Sequence, residues 1–252
     1  MSSEVLVEVK NAIAWVTLNR PEAANAFTIP MIETLVSEMH RLDRDEKVKV
    51  IVVTGAGHHF CSGGDVKAMK NKEGMFAGES DELRRRYEFG IQQIPKMMDQ
   101  LQTPVIAMMN GHAIGAGLDF SLMCDLRYCA RTAKVGETFV KLGLVPGDGG
   151  VYFLIRAVGF AKATEMALTG RVFTAEEALE MGLVHQTFES AELKNEVEKV
   201  AKEIAANAPT AVAMTKKALR ASYKESLSTV LDLLSSYQGI TQRTQEHFDR
   251  LK

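Results

Sequence analysis

Three glycine-rich turns, each running into an apolar helical pattern, hold the residues of this chain best suited to chemistry. They read H-F-C-S-G-G-D-V-K-A-M (59–69), N-G-H-A-I-G-A-G-L-D (110–119) and G-L-V-P-G-D-G-G (143–150). Glycine lets the backbone approach whatever lies above such a turn. The first N–H groups of the following helix lack intrahelical partners and carry the positive end of its macrodipole, so they suit an oxygen that is negative or becoming so. Asp119 stands one turn into the helix after the second cluster and would overlook the same spot, and Asp148 lies inside the third. A turn that merely allows close helix packing is the competing reading of any single cluster. A cluster recurring after successive strands weighs against it. His58 and His59 lack a third ligand at metal spacing, so no metal site is expected. His112 is expected to pack within its turn.

The turns must be positioned by strands and helices, and the hydrophobic pattern supplies both. Residues 5–18 alternate around Asn11, predicting two short strands and a tight turn. Thr28 is a plausible N-cap with Pro30 in the first turn of a helix over 29–43, whose Ile32, Leu35, Val36, Met39 and Leu42 recur at three and four residues. Residues 48–54 and 103–109 read as buried strands, each leading into a glycine turn and then a helix, with Asp65 near the first helix start. The polar stretch 70–86 predicts an excursion followed by a helix from residue 80. The helical pattern over 87–101 should kink or restart at Pro95. Further helices are expected over 151–158 and 159–169, then over 175–181 behind a Thr174/Glu177 capping box. From residue 193 the pattern is nearly all helical, restarting at Pro209. The division this suggests is a mixed α/β core over 1–190 and a helical region over 191–252.

With 252 residues, 46% hydrophobic and 25% charged, the chain can bury a large core. A net charge of -2 with interspersed signs gives no basic footprint for nucleic acid. Cys61, Cys124 and Cys129 form neither a C-x-x-C pair nor an even framework, which favours a reducing compartment and a place in the core. The opening M-S-S-E-V-L-V-E-V has no basic flank and no long apolar run, and no segment approaches the ~18 apolar residues that span a bilayer. These features predict a cytoplasmic protein with no membrane partner.

Taken in order, L-N-R-P-E-A-A-N-A-F (18–27), the first glycine cluster, P-V-I-A-M-M-N-G-H-A-I-G-A-G-L-D (104–119) and the third cluster resemble the enoyl-CoA hydratase/isomerase superfamily, also called the crotonase superfamily. The resemblance covers most of the chain. It implies a spiral of ββα units whose C-terminal helices build homotrimers, often paired into hexamers, and an acyl-CoA thioester as substrate with no separate cofactor. It also implies that the backbone N–H groups of Gly64 and Ala116 clamp the thioester oxygen and stabilise an enolate, with Gly115 shaping the second turn. The CoA moiety would lie beside Glu22, Ala23 and Ala24 and beside Ser62, Gly63, Asp65 and Val66, with Lys67 a possible phosphate contact.

One departure matters. The hydratases of this family hold a water between two glutamates; here the first place is taken by Asp119 and the second aligns with Phe139, leaving Glu137 two residues short and expected to be structural. Asp119 is therefore the first-choice acid and Asp148 the second. Hydration or double-bond isomerisation leads. Decarboxylation or thioester hydrolysis on the same clamp is the alternative among enzymes, and a non-catalytic CoA-ester-binding member is the alternative outside them.

Overall fold

The computed structural model describes residues 3–252. The predicted hairpin forms as strands β1 (Val5–Lys10) and β2 (Ile13–Leu18), antiparallel about a turn in which Asn11 and Ala12 take positive φ. Helix α1 (Ile29–Asp43) begins at Thr28, whose side chain accepts the Met31 N–H, and buries Met31, Ile32, Leu35, Met39 and Leu42.

Next come two units of the same design. Strand β3 (Val50–Gly55) is followed by the short β4 (His59–Cys61) and helix α2 (Val66–Asn71); after the excursion, β5 (Val105–Met109) is followed by β6 (His112–Ile114) and helix α5 (Ala116–Met123). The sequence pattern shows one strand before each glycine turn. The structure places a second, three-residue strand inside each turn, too short for a period to register.

Between the two units lie α3 (Ser80–Phe89) and α4 (Gln93–Gln100). The expected restart at Pro95 falls instead at Gly90, and Pro95 sits in the first turn of α4, where its missing N–H costs no intrahelical bond.

Strands β7 (Leu126–Ala130) and β8 (Lys134–Gly136) then lead through a 3-10 turn (Phe139–Leu142) into α6 (Gly150–Thr169), which breaks at Gly159 as the two expected helices require. Strand β9 (Val172–Thr174), helix α7 (Ala175–Glu180) and strand β10 (Gln186–Phe188) follow, and the Thr174/Glu177 capping box forms. Helices α8 (Leu193–Ala205), α9 (Pro209–Ser222), α10 (Leu227–Thr241) and α11 (Gln245–Arg250) close the chain.

The strands fall into two sheets, in the orders β1-β2-β3-β5-β7-β10 and β4-β6-β8-β9, parallel except for the pairs β1/β2 and β8/β9. Each of the β3–β4, β5–β6 and β7–β8 pairs sends its first strand to the large sheet and its second to the small one, so the chain advances as a spiral of ββα units. Strands β3 and β5 are buried along their whole length, as parallel strands covered on both faces must be.

All three cysteines are free and buried. Helix α8 packs on the large sheet through Leu193, Val197 and Ala201. Helix α9 is fastened by Lys216, 7% exposed, which pairs with Asp125 at 2.6 Å and donates to the Thr103 carbonyl at 2.7 Å, and by Arg220, which reaches the same carboxylate at 3.1 Å. Among the described residues no helix is long and apolar enough to cross a membrane.

Candidate active site

The two candidate donors converge because their strands are neighbours. Strands β4 and β6 run parallel with Cys61 opposite Ala113, and Gly64 and Ala116 each lie three residues beyond that pair. The approach is tight: a Cβ on Gly63 would lie 2.7 Å from the Ile114 carbonyl oxygen and 3.0 Å from the Ala116 nitrogen. Gly115, at φ 53 and ψ -128, takes a conformation closed to other residues and delivers Ala116 as the first residue of α5. Neither the Gly64 nor the Ala116 N–H finds an acceptor among the described residues. Both border a cavity of about 30 Å³ whose remaining lining is Phe27, Met69, Met75, Phe76, Tyr87, Ile91, Phe139 and Asp148.

The segments expected to hold CoA lie side by side. The Ser62 N–H donates to the Ala24 carbonyl at 3.0 Å and the Phe27 N–H to the Gly63 carbonyl at 2.8 Å. Buried Asn25 pins the loop by donating to the carbonyls of Ala56 and His59 at 2.9 and 2.8 Å. Glu22 is exposed, Ala23 and Ala24 are half-buried, and Val66 and Lys67 stand exposed at the start of α2. Asp65 is otherwise occupied: its carboxylate accepts the N–H groups of Lys67 and Ala68 as the N-cap of α2 and lies 3.6 Å from Arg20, so it fixes the turn rather than reaching out of it.

Below the donors three carboxyl groups meet. Asp119 and Glu137 are fully buried and Asp148 is 3% exposed. Asp119 is within hydrogen-bonding reach of both others, standing between them. Asp148 Oδ1 accepts the Gly150 N–H at 3.3 Å at the start of α6. The other five oxygens find no partner among the described residues apart from one another.

Burial away from water opposes ionisation of all three, and each charge opposes the next. Asp119 is raised well above the carboxylate range, by burial first and then by the charges of Asp148 and Glu137. Burial carries Glu137 up to about 7. Asp148 is also raised by burial, against the pull of Asp119 and of the Gly150 N–H. The charge therefore settles on Asp148, the member at a helix N-terminus, while Asp119 keeps its proton.

All four sequence-predicted chemical groups, Gly64, Ala116, Asp119 and Asp148, are brought together. Asp148 faces the cavity and Asp119 lies behind it, against the Cα of Gly150. Glu137, expected to be structural, follows Gly136, which pairs with Ile114, and is delivered to Asp119. Nothing in its sequence surroundings marks it, since its role depends on a strand pairing across 22 residues. The polar excursion, which carries no visible acyl preference, contributes Met75 and Phe76 to the cavity, and the helix that follows contributes Tyr87. His112 accepts the Lys134 N–H at 3.1 Å and lies edge-on to the His59 ring, and among the described residues no group of three or more His, Cys, Asp or Glu could hold a metal ion.

A ββα spiral that aims two unengaged N–H groups at one cavity, with an ionisable carboxyl on its wall, defines a class of α/β proteins equipped to polarise a carbonyl and move a proton beside it. A model of the enoyl-CoA hydratase/isomerase family matches residues 8–249, and the chain belongs to that family. It is 32% identical to the short-chain-enoyl-CoA hydratase of Clostridium acetobutylicum, over 99% of this chain and 93% of that one. It is 31% identical to the 1,2-epoxyphenylacetyl-CoA isomerase of Escherichia coli, over 98% and 93%. The crystal structure of an enoyl-CoA hydratase from Bacillus anthracis superimposes with a TM-score of 0.92 at 30% identity, covering 98% of this chain and 94% of that one. The chain is an acyl-CoA enzyme of the hydratase/isomerase type.

Proposed function

We propose that the chain shifts the double bond of a β,γ-unsaturated acyl-CoA into conjugation with the thioester, using one carboxylate to carry one proton. The thioester oxygen accepts the N–H groups of Gly64 and Ala116. Asp148 takes a proton from the α carbon, the electron pair moves onto the oxygen as a dienolate, and Asp148 returns the proton to the γ carbon. No atom is gained or lost. Such a clamp acts where charge develops, and losing one donor typically costs ~10²–10³ in rate. No group beyond the chain and the CoA ester is needed, and Phe27, Met69, Met75, Phe76, Ile91 and Phe139 give apolar walls to the small space beside the clamp.

The observation that carries this reading is that, among the described residues, Asp148 is the one carboxylate on the cavity wall, while Phe139, its ring packed beside Gly115, offers neither proton nor acceptor for a water opposite it. Hydration is the second reading, favoured by the named activity of the Clostridium relative and open to this chain if Asp119 and Asp148 together hold a water.

The segments 22–24 and 62–66 are proposed to receive the CoA moiety, with exposed Lys67 beside its phosphates. The exposed Leu219 and Tyr223 of α9 and Leu227, Leu231 and Leu234 of α10 support a homotrimer or a dimer of trimers, working in the cytoplasm.

The test is turnover of paired β,γ- and α,β-enoyl-CoA substrates. Wild type should convert the first efficiently and hydrate the second poorly, and Phe139→Glu should raise hydration. Efficient hydration by wild type that survives Asp148→Asn would overturn the proposal.

A further inference from the structure

Glu137 is unexplained by the chemistry above. It is fully buried, it does not border the cavity, and neither of its oxygens has a partner other than the Asp119 carboxyl. A solvent-inaccessible acid in that state normally weakens a fold, because its polar atoms have left water for nothing. The three carboxyls nevertheless satisfy one another if protons are distributed in one particular way. Asp148 has the Gly150 N–H and the start of α6 to hold a negative charge. Asp119 stands next to it and has a single proton to give. Whether that proton points to Asp148 or to Glu137 depends on what Glu137 offers in return.

We propose that Glu137 is a positioning residue: its carboxyl proton is donated to Asp119, and this directs the proton of Asp119 onto Asp148, the group that meets the substrate. This rests on the reading of Asp148 as the proton carrier. Once Glu137 ionises it becomes an acceptor and competes with Asp148 for the one proton on Asp119. Asp148 then loses the neighbour that orients it, and turnover falls as pH rises through the ionisation of Glu137, near 7.

The titratable groups facing the cluster act in the same range as neutral bystanders. Tyr87 of α3 and Cys61 of β4 both feel the Asp148 charge; burial raises the phenol and pushes the thiol up to about 12. No Lys or Arg contributes to the shift of any of the three carboxyls.

Two variants separate positioning from mere packing. In Glu137→Gln the amide N–H still donates to Asp119 but cannot ionise; in Glu137→Leu a side chain of similar size donates nothing. Activity is read as kcat and KM against pH with a β,γ-enoyl-CoA, on variants whose thermal melts show a folded protein. Glu137→Gln should match wild type within a few-fold below the inflection and keep its kcat where wild type declines. Glu137→Leu should lose about 10–100-fold in kcat at every pH with KM little changed, the range expected for a misaligned group one step removed from the chemistry.

The protonation itself is read without substrate, from the infrared carbonyl band of protonated carboxyls between pH 5 and 9. A band that disappears near neutral pH in wild type and is missing from Glu137→Gln supports the assignment. Its absence from wild type, or superimposable kcat profiles for wild type and Glu137→Gln, overturns it. Because the infrared titration needs no turnover, failure of the double-bond shift as the reaction would leave it standing and would be seen separately in the product analysis.

Discussion

Replacing Gly150 with alanine should disable the site without touching the substrate. The Cα of Gly150 packs directly on the carboxyl of Asp119, and an added Cβ would fall within 3.0 Å of Cγ and both oxygens of that side chain, nearer than real Cβ atoms come. Asp119 cannot swing away. It is fully buried on α5, with Glu137 and Asp148 on either side. Either the carboxyl is pushed toward Glu137 or the first turn of α6 lifts, and the second movement carries off the N–H that Asp148 accepts.

Overpacking of this kind costs about 1–3 kcal/mol, offset by at most about 1 kcal/mol from replacing glycine in a helix. A net loss of up to about 3 kcal/mol should be visible as a lower midpoint in urea at unchanged m-value. The effect on rate should be larger in proportion, since a displacement near 1 Å is worth about 10²-fold. Initial rates with a β,γ-enoyl-CoA, compared with Asp119→Leu, measure it. Asp119→Leu removes the donated proton without moving backbone and should lose about 10²–10⁴-fold if Asp119 governs Asp148. A Gly150→Ala protein with wild-type kcat and urea midpoint would refute the reasoning that these three carboxyls work as a unit.

Gly64→Pro deletes one N–H donor and should lose at least ~10² in kcat in a protein that still folds; rates near wild type would remove Gly64 from the clamp. Asp125→Asn leaves Lys216 and Arg220 facing a neutral amide and should destabilise by about 3 kcal/mol, read by denaturant unfolding, while an unchanged midpoint would show that α9 is held otherwise. Stability should also fall with rising pH. The folded-state value for Glu137 lies above its unfolded one, so the protein binds more protons than the unfolded chain between about 4.5 and 7, and the stability present at the low end is lost by the high end. The shift corresponds to about 3 kcal/mol. Asp119, also raised, adds to the same fall in both proteins, so the urea midpoints at pH 5 and 8 should differ more in wild type than in Glu137→Gln; equal pH dependence in the two would contradict burial of an ionisable Glu137.

Much of this molecule is written locally. The N-cap at Thr28, the Thr174/Glu177 capping box, the hairpin at Asn11 and the buried strands before the glycine turns depend on neighbours within a few residues, so pattern and propensity suffice to place them. The positions of Gly64 and Ala116, proposed as the donors, were likewise readable as a turn and a helix start, because strand, glycine turn and helix are contiguous.

The tertiary structure alone decided what those groups face. The three-residue strands β4, β6 and β8 have no period to read, yet their parallel pairing sets Gly64 beside Ala116 and carries Glu137 to Asp119. The placement of the acids was likewise decided in three dimensions, since Asp148 lines the cavity while Gly150 lies against Asp119. So was the apolar lining, which draws on Phe27, Met75, Phe76, Tyr87 and Phe139 from separate stretches, one of them polar. A carboxyl group's tendency to hold its proton belongs to no residue type. It arises from the water it has lost and the charges it has met, and both are properties of the folded chain.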